Sequence, residues 1–212
     1  MNLESFFPYV LPEVIGCPDP TIRSAILMAA NEFCRETLAW TEIQDPVALI
    51  NGEPNYEIDM PSGSFAYTVR DVWLGNRRLS PKTMSALQDA MPQWATSTSN
   101  EPVYYNAAPE RGLIRVFPTP ANAVGSLVIR AAYVPKLDAT TLPDFLGQRY
   151  LDTLCSGAKS RLMLLPGQPW SNPQGGVYHL QRFTDGIIAA RIEEAHDRVP
   201  GTITVRPRAF GF

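Results

Sequence analysis

Apolar and polar positions follow three rhythms along this chain. In "CPDPTIRSAILMAANEFCRETLAW", Ile22, Ala25, Ile26, Ala29, Phe33, Thr37 and Trp40 recur every three or four residues. Arg23, Asn31, Glu32, Arg35 and Glu36 lie largely off that stripe, so the spacing predicts an amphipathic helix. Asp19 suits its N-cap and Pro20 its first turn, where a missing N–H is harmless. From Asp45-Pro46 the rhythm shortens: Tyr56, Ile58 and Met60 alternate with Glu57 and Asp59, and "FAYTVRDVWLGNRRL" reads as a hairpin turning at Gly75-Asn76. "PVYYNAA", "GLIRVFP" and "SLVIRAAYVP" are further strands bounded by Gly or Pro. "SPKTMSALQDAM" predicts a short crossing helix with Ser80 as N-cap and Pro81 in its first turn.

The helical period returns after "KLDATTLPD", with Asp144 as cap and a stripe of Leu151, Leu154, Cys155, Ala158, Leu162 and Leu165, ending at Pro166-Gly167. Asn172 and Pro173 repeat the cap-plus-proline start, and Val177, Leu180, Phe183, Ile187, Ile188, Ile192 and Ala195 predict a third apolar face. Gly175, Gly176 and Gly186 each weaken that helix by about 1 kcal/mol relative to Ala, so packing has to hold it. "VPGTITVRPRAFGF" has no helical period and reads as an extended tail.

No single helix can bury its own apolar face, so the three long helices are expected in one bundle. The expected fold class is α+β: a bundle of three main helices with an inserted antiparallel, sandwich-like β unit and an extended C-terminal tail. The expected parts are a discontinuous helical domain (1–44 and 136–197), a β-rich domain (45–135) and a docking arm (198–212).

Composition narrows the function. A chain of 212 residues with 45% apolar content supports a genuine core. No apolar run approaches the ~20 residues of a membrane span, and "MNLESFFPYV" lacks the basic start and apolar centre of a signal peptide, so a soluble intracellular protein is expected, with no membrane partner. Cys17, Cys34 and Cys155 fit neither a disulfide framework nor a zinc spacing, and His179 and His196 stand in no metal-binding frame. The expectation is no catalytic residue, no cofactor and no metal. The net charge of −3 is unevenly placed, because Arg198, Arg206 and Arg208 close the chain with no acid after them. Arginine far outnumbers lysine, which suits planar hydrogen bonding at interfaces as well as phosphate contacts.

The candidate sites are accordingly structural. In "PGQPWSNP", Ser171 has no nucleophile elbow around it; Pro169 stiffens a corner, Asn172 and Pro173 start the next helix, and Trp170 plugs the open end of the bundle. Glu53, Glu57 and Asp59 are too sparse for a calcium loop and read as a solvated strand face. Arg77 and Arg78, beside a turn, can meet phosphate or a neighbouring subunit, with a plain exposed hairpin as the simpler reading. Arg206, Arg208, Phe210 and Phe212 are the interface residues of the arm.

Three stretches, "FFPYVLPEVIGCPDPTIRSAILMAANEFCRETLAW", "DPVALINGEPNYEIDMP" and "LPDFLGQRYLDTLCSGAKSRLMLLPGQPWSNPQ", together resemble head-to-tail adaptor (connector) proteins of tailed bacteriophages, similar in layout to the podovirus tail tubular protein A type. Residues 61–135 match only in their strand-rich character. The resemblance implies a structural virion protein, not an enzyme. It implies a homo-oligomeric ring, dodecameric as a rule, below the portal protein and supporting the tail or nozzle component. Passing contact with genomic DNA in the channel and assembly in the host cytoplasm go with that role. The alternatives are a virion-associated glycan hydrolase, for which only Glu57 and Asp59 offer a carboxylate pair, and a DNA-contacting head-completion factor, which the basic tail allows and the acidic body discourages.

Overall fold

A computed structural model of the chain describes residues 1–122 and 124–196. The fold is α+β. The chain opens with short turns of helix, Leu3–Phe6, α1 (Phe7–Val10) and Leu11–Glu13. The first long helix, α2 (Asp19–Thr37), follows. Its N-cap is Pro18, one residue before the expected Asp19, which lies in the first turn. The helix stops at Leu38, held in the left-handed conformation at φ 56°. Thr37 supports this exit, its hydroxyl donating to the Phe33 carbonyl and accepting from the Ala39 N–H. Trp40 is therefore not on the helix, although it is buried, with its ring 6.0 Å from that of Tyr133.

The β region holds β1 (Thr41–Ile43), β2 (Val47–Ala48), β3 (Asn55–Glu57), β4 (Ser64–Leu74), β5 (Arg77–Arg78) and β6 (Ser80–Pro81), then, after α3 (Met84–Ala90), β7 (Thr98–Ser99), β8 (Tyr104–Ala108), β9 (Leu113–Phe117), β10 (Thr119–Pro120) and β11 (Ser126–Pro135). One sheet runs β1-β11-β4-β5, with β2 also pairing β11; a second runs β3-β9-β8-β6, and β7 and β10 make a two-stranded third. Pairing starts at Thr41, where β1 meets β11, ahead of the expected start at residue 45. The hairpin turns at Gly75-Asn76 as expected, with Leu74 opposite Arg77. The unit is antiparallel except for two short parallel pairs, β6 with β8 and β7 with β10. Ser80 and Pro81 are thus strand residues, not the start of a helix; the α3 N-cap is Thr83, whose hydroxyl accepts from the Ala86 N–H. Proline is tolerated in β6 because that strand is a sheet edge.

The expected helix from Asp144 onward is two helices, α4 (Asp144–Arg149) and α5 (Leu151–Met163), broken at Tyr150. Its cap is Pro143, and Leu165 lies beyond the end of α5, exposed. The last helix is α6 (Pro173–Ala195), capped by the Asn172 side chain as expected. Helices α2, α5 and α6 pack on one another, and α2 also lies over β11, with Asn31 donating to the Pro135 carbonyl at 2.8 Å. One continuous apolar core runs through both layers, from Phe33 and Phe183 to Ile129 and Tyr133.

The α5–α6 contact is close because glycines line it. A Cβ at Gly157 would come within 2.7 Å of the Phe183 ring and 2.9 Å of the Ala29 Cβ, and one at Gly186 within 2.5 Å of Thr153. Gly186, which weakens α6 as an isolated helix, therefore lets it approach α5, and Gly157 does the same from the α5 side.

Candidate functional site

The corner between α5 and α6 is built from the outside of the helices inward. The chain reverses over residues 164–172, and the Asn172 N–H donates to the Met163 carbonyl at 2.9 Å, closing the loop across its base. The Asn172 side-chain oxygen accepts from the Gly175 N–H at 3.1 Å, and Pro173 opens the helix. Ser171 Oγ donates to the Met163 carbonyl, so this hydroxyl is occupied by the backbone. Pro169 is exposed. Trp170 is partly buried against the core, and its indole N–H is buried without a hydrogen-bond partner among the described residues. Such a donor weakens the benefit of burying the ring by ~1–3 kcal/mol.

Arg77 and Arg78 sit on the exposed edge strand β5. Both are engaged within the chain: Arg77 with the Pro102 carbonyl and Glu101, and Arg78 with Asp71, a largely buried carboxylate that Arg130 also approaches at 3.8 Å. The alternation at Tyr56, Glu57, Ile58 and Asp59 holds, leaving both carboxylates exposed. Arg206, Arg208, Phe210 and Phe212 lie outside the described residues.

Two arrangements were not read from the sequence. The first is a clamp between the N-terminal segment and the helices. Glu13 accepts from Lys159 Nζ at 2.5 Å and meets His179 Nε2 at 2.7 Å, at the mouth of a cleft of about 280 Å³ that Tyr9, Tyr178 and Arg182 also line. Burial raises the Glu13 pKa, but the hydrogen bonds from Lys159 and His179 outweigh it and leave the pKa lowered. The other ring nitrogen of His179, Nδ1, is buried with no hydrogen-bond partner among the described residues. Only tertiary contact joins residues so far apart in the chain.

The second arrangement is the outer face of α6. Its buried residues include Gly176, His179, Phe183, Ile187 and Ala190, whereas Val177, Leu180, Ile188 and Ile192 are 45–59% exposed. The expected single apolar face is therefore two faces, about a third of a turn apart. A signal was present: Val177, Leu180, Ile188 and Ile192 keep to one line at this spacing, and Phe183 and Ile187 keep to another.

All three cysteines are free and buried, and burial pushes the Cys155 thiol up to about 12 and Cys34 higher still. Thiols held protonated are poor nucleophiles. Among the described residues no group of three or more His, Cys, Asp or Glu is placed to hold a metal ion, and no helix is long and apolar enough to cross a membrane.

No curated protein matches the chain. The family model described as SU10 adaptor protein, however, matches residues 9–206, which takes in both long helical stretches, the whole β region and the α5–α6 corner. The chain belongs to the SU10 adaptor protein family and is a structural adaptor of the phage virion, of the head-to-tail kind its sequence resembles.

Proposed function

We propose that the chain closes into a homo-oligomeric ring, a dodecamer, between the portal protein and the tail or nozzle component, and that it performs no catalysis. The family match over nearly the whole chain carries this reading, since an adaptor of this family acts on portal and tail proteins. The protein is made and held in the host cytoplasm until assembly, and in the finished ring it contacts passing genomic DNA at most transiently. Pro169, Trp170, Asn172 and Pro173 set the angle between α5 and α6 so that copies fit side by side, because a closed ring needs the same two surfaces to meet at every interface. Arg77 and Arg78 sit at the rim of such an interface, and Arg206, Arg208, Phe210 and Phe212 dock the arm 198–212 on the partner.

Electron microscopy of portal-bearing capsids with the purified protein tests the ring: closed density below the portal is expected, and capsids left undecorated would overturn the reading. Removing residues 200–212 is expected to abolish that decoration; undiminished occupancy would remove the arm from the docking role. The three-part division into 1–44 with 136–197, 45–135 and 198–212 is tested by excising 45–135. The chain enters and leaves the β region side by side, with Thr41 of β1 opposite Ala132 of β11. A helical, cooperatively unfolding product is expected, and a molten one means that the boundary is misplaced.

A further inference from the structure

The sheet β3-β9-β8-β6 holds two cations on the side away from the core, and neither has a counter-ion. Along β9, Ile114 and Val116 belong to the core, so Arg115 between them lies on the opposite face. In register it stands between Asn55 of β3 and Asn106 of β8, a row of amide, guanidinium and amide across three strands. Its guanidinium carbon is 5.4 Å from the centre of the Trp94 ring and 5.1 Å from that of Phe117. Nε is buried with no hydrogen-bond partner, and the terminal nitrogens have none either among the described residues.

Lys82 is the second cation. The Asn106 side-chain amide donates to its carbonyl at 2.8 Å, and its Nζ stands 5.5 Å from the centre of the Tyr104 ring, with no carboxylate paired to it among the described residues. Arg35 and Arg182 also rest on rings, over Tyr67 and Tyr178, but both are exposed to water, whereas Arg115 and Lys82 are half-buried. A half-buried cation has given up part of its hydration, and an anion from outside restores what was lost.

We infer that this face binds an acidic segment of a partner protein, with one carboxylate on the two terminal nitrogens of Arg115, beside Asn55 and Asn106, and a second on Lys82. The planar fork of a guanidinium accepts carboxylate and phosphate alike, so the choice between them rests on the surroundings. The Trp94 and Tyr104 rings, the surfaces on which a base would stack, already carry Arg115 and Lys82. Acids outnumber bases over residues 45–135, and Glu57 is exposed on β3, two residues along from Asn55 on the same face. A continuous polyanion is repelled there, and two isolated carboxylates are not. The inference rests on the β region alone and holds whether or not the chain forms a ring.

Titration of the isotopically labelled full-length chain with a glutamate decapeptide, and separately with a short random-sequence DNA duplex, tests it by nuclear magnetic resonance at low salt. With the peptide, a saturable shift of the Trp94 indole N–H is expected, while the signals of Trp40, Trp73 and Trp170 stay in place. Lys82→Gln with Arg115→Gln is expected to weaken the binding at least about tenfold. Lys82→Glu alone, at a side chain whose charge meets only the Tyr104 ring, is expected to do as much and keeps the test open if loss of Arg115 loosens Trp94. No saturable shift, or equal affinity in the wild type and both variants, would overturn the inference. Duplex binding as tight as peptide binding would overturn it in favour of a phosphate site. Decoration of capsids is a separate measurement, so a failure of either reading is distinguishable from a failure of the other.

Discussion

The two faces of α6 contain the same kinds of side chain at the same spacing, and only one is buried. Phe183 is 1% exposed and Ile187 7%, whereas Ile188, the next residue along, is 48% exposed. The difference comes from what lies opposite. Gly157 and Ala29 leave a recess for the Phe183 ring, and Thr153 lets Gly186 close in, so α6 rests on α5 and α2 along that line. No described element covers the other line. In one helix, apolar character marks both a surface for the fold and a surface for something added to it.

The largest expected effect breaks the inner face. Phe183→Ala removes a fully buried ring and is expected to destabilise the protein by about 3–5 kcal/mol, read from denaturant unfolding. Ile192→Ala on the outer face is expected to stay under about 1 kcal/mol. Similar values for the two would erase the distinction between the faces.

Gly157→Ala sharpens the comparison because two effects oppose each other. Helix propensity favours alanine by about 1 kcal/mol. Crowding against Phe183 and the Ala29 Cβ is expected to prevail and destabilise the protein by about 1–3 kcal/mol. A rise in the unfolding midpoint would mean that α5 and α6 can part without penalty.

Asn172→Ala removes the cap that fixes where α6 begins and is expected to lower stability by about 1 kcal/mol. Its circular dichroism should show fraying of the first turn only. A larger loss, spread over the helix, would give the corner a wider role than capping.

The smallest effect concerns the clamp on α5 and α6. The folded-state pKa of Glu13 is depressed, so its contribution is complete above the ordinary glutamate range and is lost as pH falls through the lower folded value. Glu13 is 45% exposed, and solvent keeps the effect small. Glu13→Gln is expected to flatten the acid limb of a plot of melting temperature against pH while leaving the neutral value within a few degrees. An unchanged acid limb would show that Glu13 contributes nothing to the pH dependence.

The sequence by itself determined what depends on neighbours along the chain. The Asn172-Pro173 start, the Gly75-Asn76 turn, the alternation from Tyr56 to Asp59 and the order of helices and strands are set by capping, turn geometry and side-chain period, all of which act over a few residues. The family resemblance was legible for the same reason, in contiguous stretches at both ends of the chain. Local rules failed where two local solutions compete. Ser80-Pro81 has the form of a helix start, but pairing with Tyr104 and Tyr105 made it an edge strand, and the cap moved to Thr83. The break at Tyr150 sits where its ring packs 4.7 Å from that of Phe33 on α2, a contact invisible to spacing. Only the tertiary structure decided which line of α6 is core, that Glu13 meets Lys159 and His179, and that the glycines of α5 and α6 are places of close approach. Each depends on which surfaces a distant part of the chain supplies, and hydrophobic burial is non-directional, so a periodic pattern can mark an apolar face without naming the surface that covers it.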